Sequence, residues 1–150
     1  MIVACAFDHA GVPLRPRLLE LVESLGHQVL DLGTDSTEPI DYPKKALEVG
    51  RAVVSGQAER GIIVCGSGAG VSVAACKIRG IYAATIHDTY TAHQAVEHDG
   101  LNVLCLGGRV IGVAVAAEIV TAFLSAQISD EERHVRRRGE VLEIERTGGA

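Results

Sequence analysis

Gly61-Ile62-Ile63-Val64-Cys65-Gly66-Ser67-Gly68-Ala69-Gly70 is the stretch that decides the fold. An apolar run closes on a cysteine, glycines and a serine follow, and Val71-Ser72-Val73-Ala74-Ala75-Cys76-Lys77 reads as a helix. This is the pattern of a buried strand turning tightly into a helix N-terminus. Free backbone N–H groups at such a turn favour anions, and they favour the thiolate form of a neighbouring cysteine.

The same rhythm extends in both directions. Ile2–Phe7, Gln28–Leu32, Gly61–Cys65, Ile81–Ile86 and Val103–Leu106 read as strands. Helical segments are expected near 13–25, 42–56, 69–77, 89–98 and 112–126. The strands are nearly continuously apolar, as expected when both faces of a parallel sheet are covered. Repeated β–α units imply an α/β fold: a three-layer α/β/α sandwich with a five-stranded, Rossmann-like parallel sheet and right-handed crossovers. Ligand sites in such sheets lie at the carboxyl ends of the strands. Those ends read Asp8-His9-Ala10-Gly11, Cys65-Gly66-Ser67, His87-Asp88 and Gly107-Gly108-Arg109. Polar residues thus collect at one rim while the strand interiors stay apolar.

Composition narrows the function. The 150 residues fit one domain, 1–150, with 127–150 as a charged C-terminal segment. There is no Trp, with three Tyr and two Phe, so platforms for stacking nucleic-acid bases are scarce. A formal net charge of −5 argues against a general nucleic-acid binder. No apolar run is long enough to span a bilayer, and no charged segment precedes a hydrophobic leader. Cysteines 5, 65, 76 and 105 show no CxxC spacing, which fits a reducing cytoplasm. The six histidines lack metal-ligand spacing such as HExxH, so the site is expected to be metal-free. The segment 112–126 is apolar nearly all round and is expected in a subunit interface rather than inside one protomer.

Each site residue also has an ordinary structural explanation. Cys65 could be a small packing thiol, and Ser67 with Gly66, Gly68 and Gly70 could simply form a tight turn. Asp8 could cap a helix while His9 is solvated, or the pair could meet a sugar hydroxyl and a phosphate. His98 near a helix end could complement the helix dipole. Arg133, Arg136, Arg137 and Arg138 could pair with Glu131, Glu132 and Glu140, or Arg133 and Arg137, four apart, could clamp a phosphate.

Read together, these segments resemble the ribose-5-phosphate isomerase B family, which also contains allose-6-phosphate and galactose-6-phosphate isomerases. The resemblance runs through Asp8-His9-Ala10-Gly11, Asp41-Tyr42-Pro43, Gly61–Gly70, Ala74-Ala75 with Lys77-Ile78, and Glu97-His98. It continues through Asn102–Gly107 and Arg109-Val110-Ile111-Gly112 to Arg133-His134 and Arg137, covering almost the whole chain in order.

The resemblance implies an aldose–ketose isomerase for a sugar phosphate, with ribose 5-phosphate the default. It implies an enediolate route without metal or organic cofactor. It implies a homodimer, or a dimer of dimers, with shared sites and with the C-terminal segment reaching a partner subunit. By the same resemblance Cys65 is the base between C2 and C1, and Ser67 assists at the reacting oxygens. The Gly66–Gly70 amides hold the oxyanion, and Asp8 and His98 open the sugar ring. His9, Arg133 and Arg137 contact phosphate, and Arg109 is a further anion contact. The chain departs from the family at Cys76 and Asp99, where Asn is usual, and at Tyr82 and Val96, where Arg is usual. Asp99 counts among the expected substrate-binding residues, yet its carboxylate can only accept hydrogen bonds where an amide could donate.

Overall fold

The computed structural model describes residues 1–149. Five strands, β1 (Ile2–Phe7), β2 (Gln28–Asp31), β3 (Arg60–Cys65), β4 (Ala83–Thr85) and β5 (Val103–Gly107), form one sheet in the order β2-β1-β3-β5-β4. Every neighbouring pair is parallel. The helices are α1 (Arg15–Ser24), α2 (Tyr42–Val54), α3 (Ala69–Ala75), α4 (Thr89–Asp99), α5 (Val113–Ser125) and α6 (Glu132–Thr147). The expected α/β/α sandwich is what the chain forms.

Two apolar cores flank the sheet. On one face, Val3, Cys5, Phe7, Ile62, Val64, Leu104 and Leu106 meet α1, α4 and α5. On the other, Ala4, Ala6, Ile63, Cys65, Val103 and Cys105 meet α2 and α3. Residues 61–65 are buried throughout, because β3 is the central strand and has a helix layer on each side. Fully burying an Ile side chain stabilises by roughly 1.5–3 kcal/mol, so Ile62 and Ile63 strongly favour this placement.

Two expected elements differ from the apolar pattern. The run Ile81–Ile86 pairs only over Ala83–Thr85. Ile81 and Ile86 are buried, but as anchors of the flanking loops. Tyr82 instead bonds Asn102, its amide donating to the Oδ1 at 2.9 Å. The margins still touch β5, the Val103 amide donating to the Tyr82 carbonyl at 3.1 Å and the Ile86 amide to the Cys105 carbonyl at 3.2 Å. The helix expected from residue 13 starts at Arg15, because Val12–Leu14, with Pro13, forms a 3-10 turn first.

The helix 112–126 divides its apolar residues between the core and the surface. Ala116, Ile119, Val120, Phe123 and Leu124 form a stripe buried inside the same chain against the sheet and its neighbouring helices. Arg60 satisfies the end of this helix, donating to the carbonyls of Phe123 and Ala126. The burial of α5 is therefore largely intramolecular. Apolar surface is left uncovered at Val113 and Val115 at the start of α5 and along α6, which buries only His134 and exposes Val135, Val141, Leu142 and Ile144. Among the described residues no helix is long and apolar enough to cross a membrane.

Candidate active site

β1 feeds α1 on one face of the sheet and β3 feeds α3 on the other. Adjacent strands whose connections diverge leave a crevice between their carboxyl ends. A cavity of about 520 Å³ occupies it, lined by Asp8, His9, Ala10, Tyr42, Cys65, Gly66, Ser67, Gly70, Arg109 and Val110. The expected cluster at the strand ends is therefore real in space.

Backbone geometry builds its floor. Gly68 caps α3 at φ 81°, a left-handed conformation that side-chain-bearing residues rarely adopt, and donates its N–H to the Cys65 Sγ at 3.1 Å. The amides of Gly66, Ser67 and Gly70 meet no protein acceptor among the described residues. They remain available to an anionic oxygen. Cys65 is itself 5% exposed, so the thiol is reached through the cavity alone.

The ordinary and functional readings of Asp8 both apply, divided between its two oxygens. Oδ1 accepts from the Ala10 and Gly11 amides at 2.8 and 3.0 Å and so closes the turn after β1. Oδ2 takes no bond from the protein among the described residues. Gly11 permits this turn, since a Cβ there would lie 2.4 Å from the Val64 carbonyl oxygen. His9 Nδ1 accepts from the Ile40 amide at 3.3 Å. An accepting Nδ1 leaves the ring proton on Nε2, which is then a donor. Arg109 is exposed at the mouth and makes no ion pair among the described residues.

Tyr42 belongs to the lining but not to the residues nominated from sequence. Its ring covers Gly70, where a Cβ would come within 2.8 Å. The signal was available in Asp41-Tyr42-Pro43, since a helix opening on that triplet projects its first residue toward the rim.

His98, Asp99, Arg133 and Arg137 line no part of this cavity. Topology explains why. A helix that follows a parallel strand runs back antiparallel to it, so the end of α4 arrives at the start of β5. The five residues of β5 span about 13 Å, and Cys65 pairs with Gly107 at the far end. His98 thus lies at the opposite edge of the sheet from Cys65 in the same chain.

Around His98 a second cluster is tied together. His98 and His134 stack with ring centroids 4.0 Å apart and planes 26° from parallel. The Ser129 amide donates to the Glu97 carbonyl at 2.8 Å, and Arg138 donates to the carbonyls of His98 and Ser129 at 3.1 and 2.7 Å. The arginine run then divides. Arg133 pairs with Glu131 and Arg136 with Glu140, as a solvated face would, whereas Arg137 is exposed and unpaired among the described residues. Burial foremost, then His98, Arg133 and more weakly Arg137, push His134 below the ordinary histidine value, with Glu131 opposing.

Comparison with known proteins now decides the family. The model of the Ribose/Galactose Isomerase family matches residues 3–141. The chain belongs to this family. Ribose-5-phosphate isomerase B of Escherichia coli K12 is 38% identical over 143 residues, covering 95% of each chain. The solved structure of Clostridium thermocellum ribose-5-phosphate isomerase B superposes with a TM-score of 0.94 at 39% identity, covering 99% of both chains. The Mycoplasma genitalium ribose-5-phosphate isomerase B, solved with bound ribulose-5-phosphate, gives a TM-score of 0.89 at 34% identity, covering 97% of this chain and 96% of that one.

Within the ribose/galactose isomerase frame, three departures fall in one place. Cys76, Tyr82 and Asp99 line a groove of about 360 Å³ beside Val141, Ile144 and Glu145 of α6. Val96 is a core residue. Asp99 therefore faces the C-terminal helix of its own chain rather than the strand-end cavity.

Proposed function

We propose that the protein interconverts ribose 5-phosphate and ribulose 5-phosphate through an enediolate, in a site completed by a second copy of the chain. The observation that carries this reading is Cys65, with the Gly68 N–H on its sulfur and unpaired amides beside it, in a cavity with Asp8, His9, Ser67 and Arg109. Family membership and the relatives' names supply the substrate.

Abstracting a proton alpha to a carbonyl needs a base beside the carbon and positive potential beside the oxygen. In this reading Asp8 and His98 open the furanose, moving one proton off O1 and one onto O4. The Cys65 thiolate then takes the C2 proton, and the Gly66–Gly70 amides hold the enediolate oxygen. The thiol, whose proton exchanges with solvent while the enediolate lasts, then protonates C1, and the Ser67 hydroxyl passes the O2 proton to O1. No electrons leave the substrate, so no redox partner is required. His9 and Arg109 take the phosphate from the cavity side, and Arg133 and Arg137 take it from the other.

The partner subunit supplies the second half. His98 and the α6 arginines are far from Cys65 within one chain, and α6 leaves Val135, Val141, Leu142 and Ile144 uncovered. A homodimer that seats residues 127–150 on a partner covers that surface and delivers those residues to the partner's strand-end cavity. Four unpaired thiols agree with a reducing, cytoplasmic setting.

The test is proton NMR of the protein with ribose 5-phosphate in D2O, with Cys65→Ala as the control. Ribulose 5-phosphate carrying deuterium at C1, absent with the variant, supports the reaction and its base together. Product formation that survives Cys65→Ala removes Cys65 from the role. No product and no exchange removes ribose 5-phosphate as the substrate.

A further inference from the structure

His134 is the only buried residue of the sixteen in α6, and it is 3% exposed. A polar ring does not occupy such a position by default, since an aliphatic residue would fill the space without a hydrogen-bond requirement. Its Nδ1 lies 3.0 Å from the Ser129 Oγ, which satisfies that nitrogen and sets the plane of the ring. The opposite consequence of that plane is the stack on His98. His98 is 31% exposed at its side chain, so one face is open to a ligand while the other rests on His134.

We propose that His134 is a positioning residue for His98, its buried ring fixing the orientation of the imidazole that opens the sugar ring. This rests on the reading of His98 given under Proposed function. Backbone bonds from Arg138 to His98 and from Ser129 to Glu97 hold the main chain, but they leave the imidazole torsions free. On the ring itself the contacts are the stack and a longer approach of the Glu97 carboxylate, 3.7 Å from Nε2 at the ring edge, so the stack is what sets the plane. Misplacing a proton-transfer group by an ångström costs up to about 100-fold in rate.

Burial first, then the positive groups around the pair, favour a neutral His134, with Glu131 opposing. Arg133, Arg137 and Glu131 face it from α6 and the segment before it. Glu97, whose carboxylate lies 3.7 Å from the His98 Nε2, sits on the α4 side with His93. A neutral ring can lie flat on His98 in either protonation state, whereas two stacked imidazolium ions would repel.

The experiment compares a substrate that must be opened with one that need not be. Ribose 5-phosphate is a furanose, whereas ribulose 5-phosphate, with its O5 esterified, stays open-chain. For His134→Leu, kcat with ribose 5-phosphate should fall roughly 10- to 100-fold with KM little changed. Solvent deuterium exchange at C1 of ribulose 5-phosphate should stay within about twofold of the parent protein. His134→Phe, which keeps a flat ring, should recover most of the lost kcat. Equal losses on both substrates, or a raised KM for both, make His134 a phosphate contact or a fold element and overturn the proposal. So does a Phe variant no better than Leu. His98→Ala separates the two levels. If it slows both substrates alike, the ring-opening reading fails and takes the proposal with it. If it shows the split and His134→Leu does not, the proposal alone fails.

Discussion

The strand-end cavity and the His98–α6 cluster hold their residues by opposite means. In the cavity the main chain does the work: Gly68 turns at positive φ to aim its N–H at Cys65, and Asp8 spends one oxygen on the Ala10 and Gly11 amides. In the α4–α6 cluster side chains do it, through the His98–His134 stack and the Arg138 guanidinium on two carbonyls. The first is anchored in the central strands of the sheet. The second hangs on a helix that buries one residue of its own. A site needing both gains rigidity where the proton moves and adaptability where the substrate is gripped. Under the proposed reading it also requires two copies to meet, since topology puts the two clusters at opposite ends of the strands of one sheet.

The comparison breaks most visibly at the base. Cys65→Ala should lower kcat by about 10³-fold or more while substrate binding persists, read by steady-state rates alongside calorimetric titration. Substantial residual turnover would make the cavity a binding pocket only. The backbone character of the cavity is tested at Gly11, whose added Cβ would press on the Val64 carbonyl. Gly11→Ala should destabilise by about 3 kcal/mol in denaturant unfolding, whereas an α6 surface change such as Arg136→Ala should shift the midpoint very little.

The gripping half should respond in KM. Arg137→Ala is expected to raise KM for the phosphate ester roughly 10- to 100-fold, as loss of a charged hydrogen bond does, with kcat little altered. An unchanged KM would return Arg137 to the solvated face formed by its paired neighbours.

The smallest effect concerns pH. Folding holds His134 below the ordinary histidine value, and His27 as well through burial, the N-terminus and Arg60. The unfolded chain then binds more protons, so this stability is complete above about pH 6.5 and declines as pH falls through that value toward the folded ones. His134→Phe should flatten part of the decline in Tm between about pH 7.5 and pH 5, with His27 accounting for the remainder. A decline of unchanged slope would place the titration elsewhere.

Much of this was legible in the residues. Continuous burial of β3 followed from an unbroken apolar run, and the strand-end rule gathers Asp8, His9, Cys65, Ser67 and Arg109 from the sequence alone. What misled was apolarity beyond the ladder, as at Ile81, and apolarity divided between core and surface, as in α5, where Phe123 is buried and Val115 is exposed. Tyr42 was passed over although Asp41-Tyr42-Pro43 marks its helix start, because its relation to Gly70 is a contact between two helices of one layer that are distant in sequence. The separation of His98 from Cys65 was implicit in the β–α alternation, since each return helix ends at the far edge. The His134 stack was not legible, because it depends on a loop at Ser129 folding α6 back onto α4.

The most direct test of a site shared between copies is complementation. Cys65→Ala and His98→Ala chains carrying different tags would be co-expressed, and the mixed dimers isolated through both tags. Each mixed dimer holds one site with both substitutions and one with neither, so the account predicts about half of the parent protein's activity on ribose 5-phosphate. Mixed dimers no more active than the two single-variant proteins would mean that each chain builds its site alone, and would contradict it.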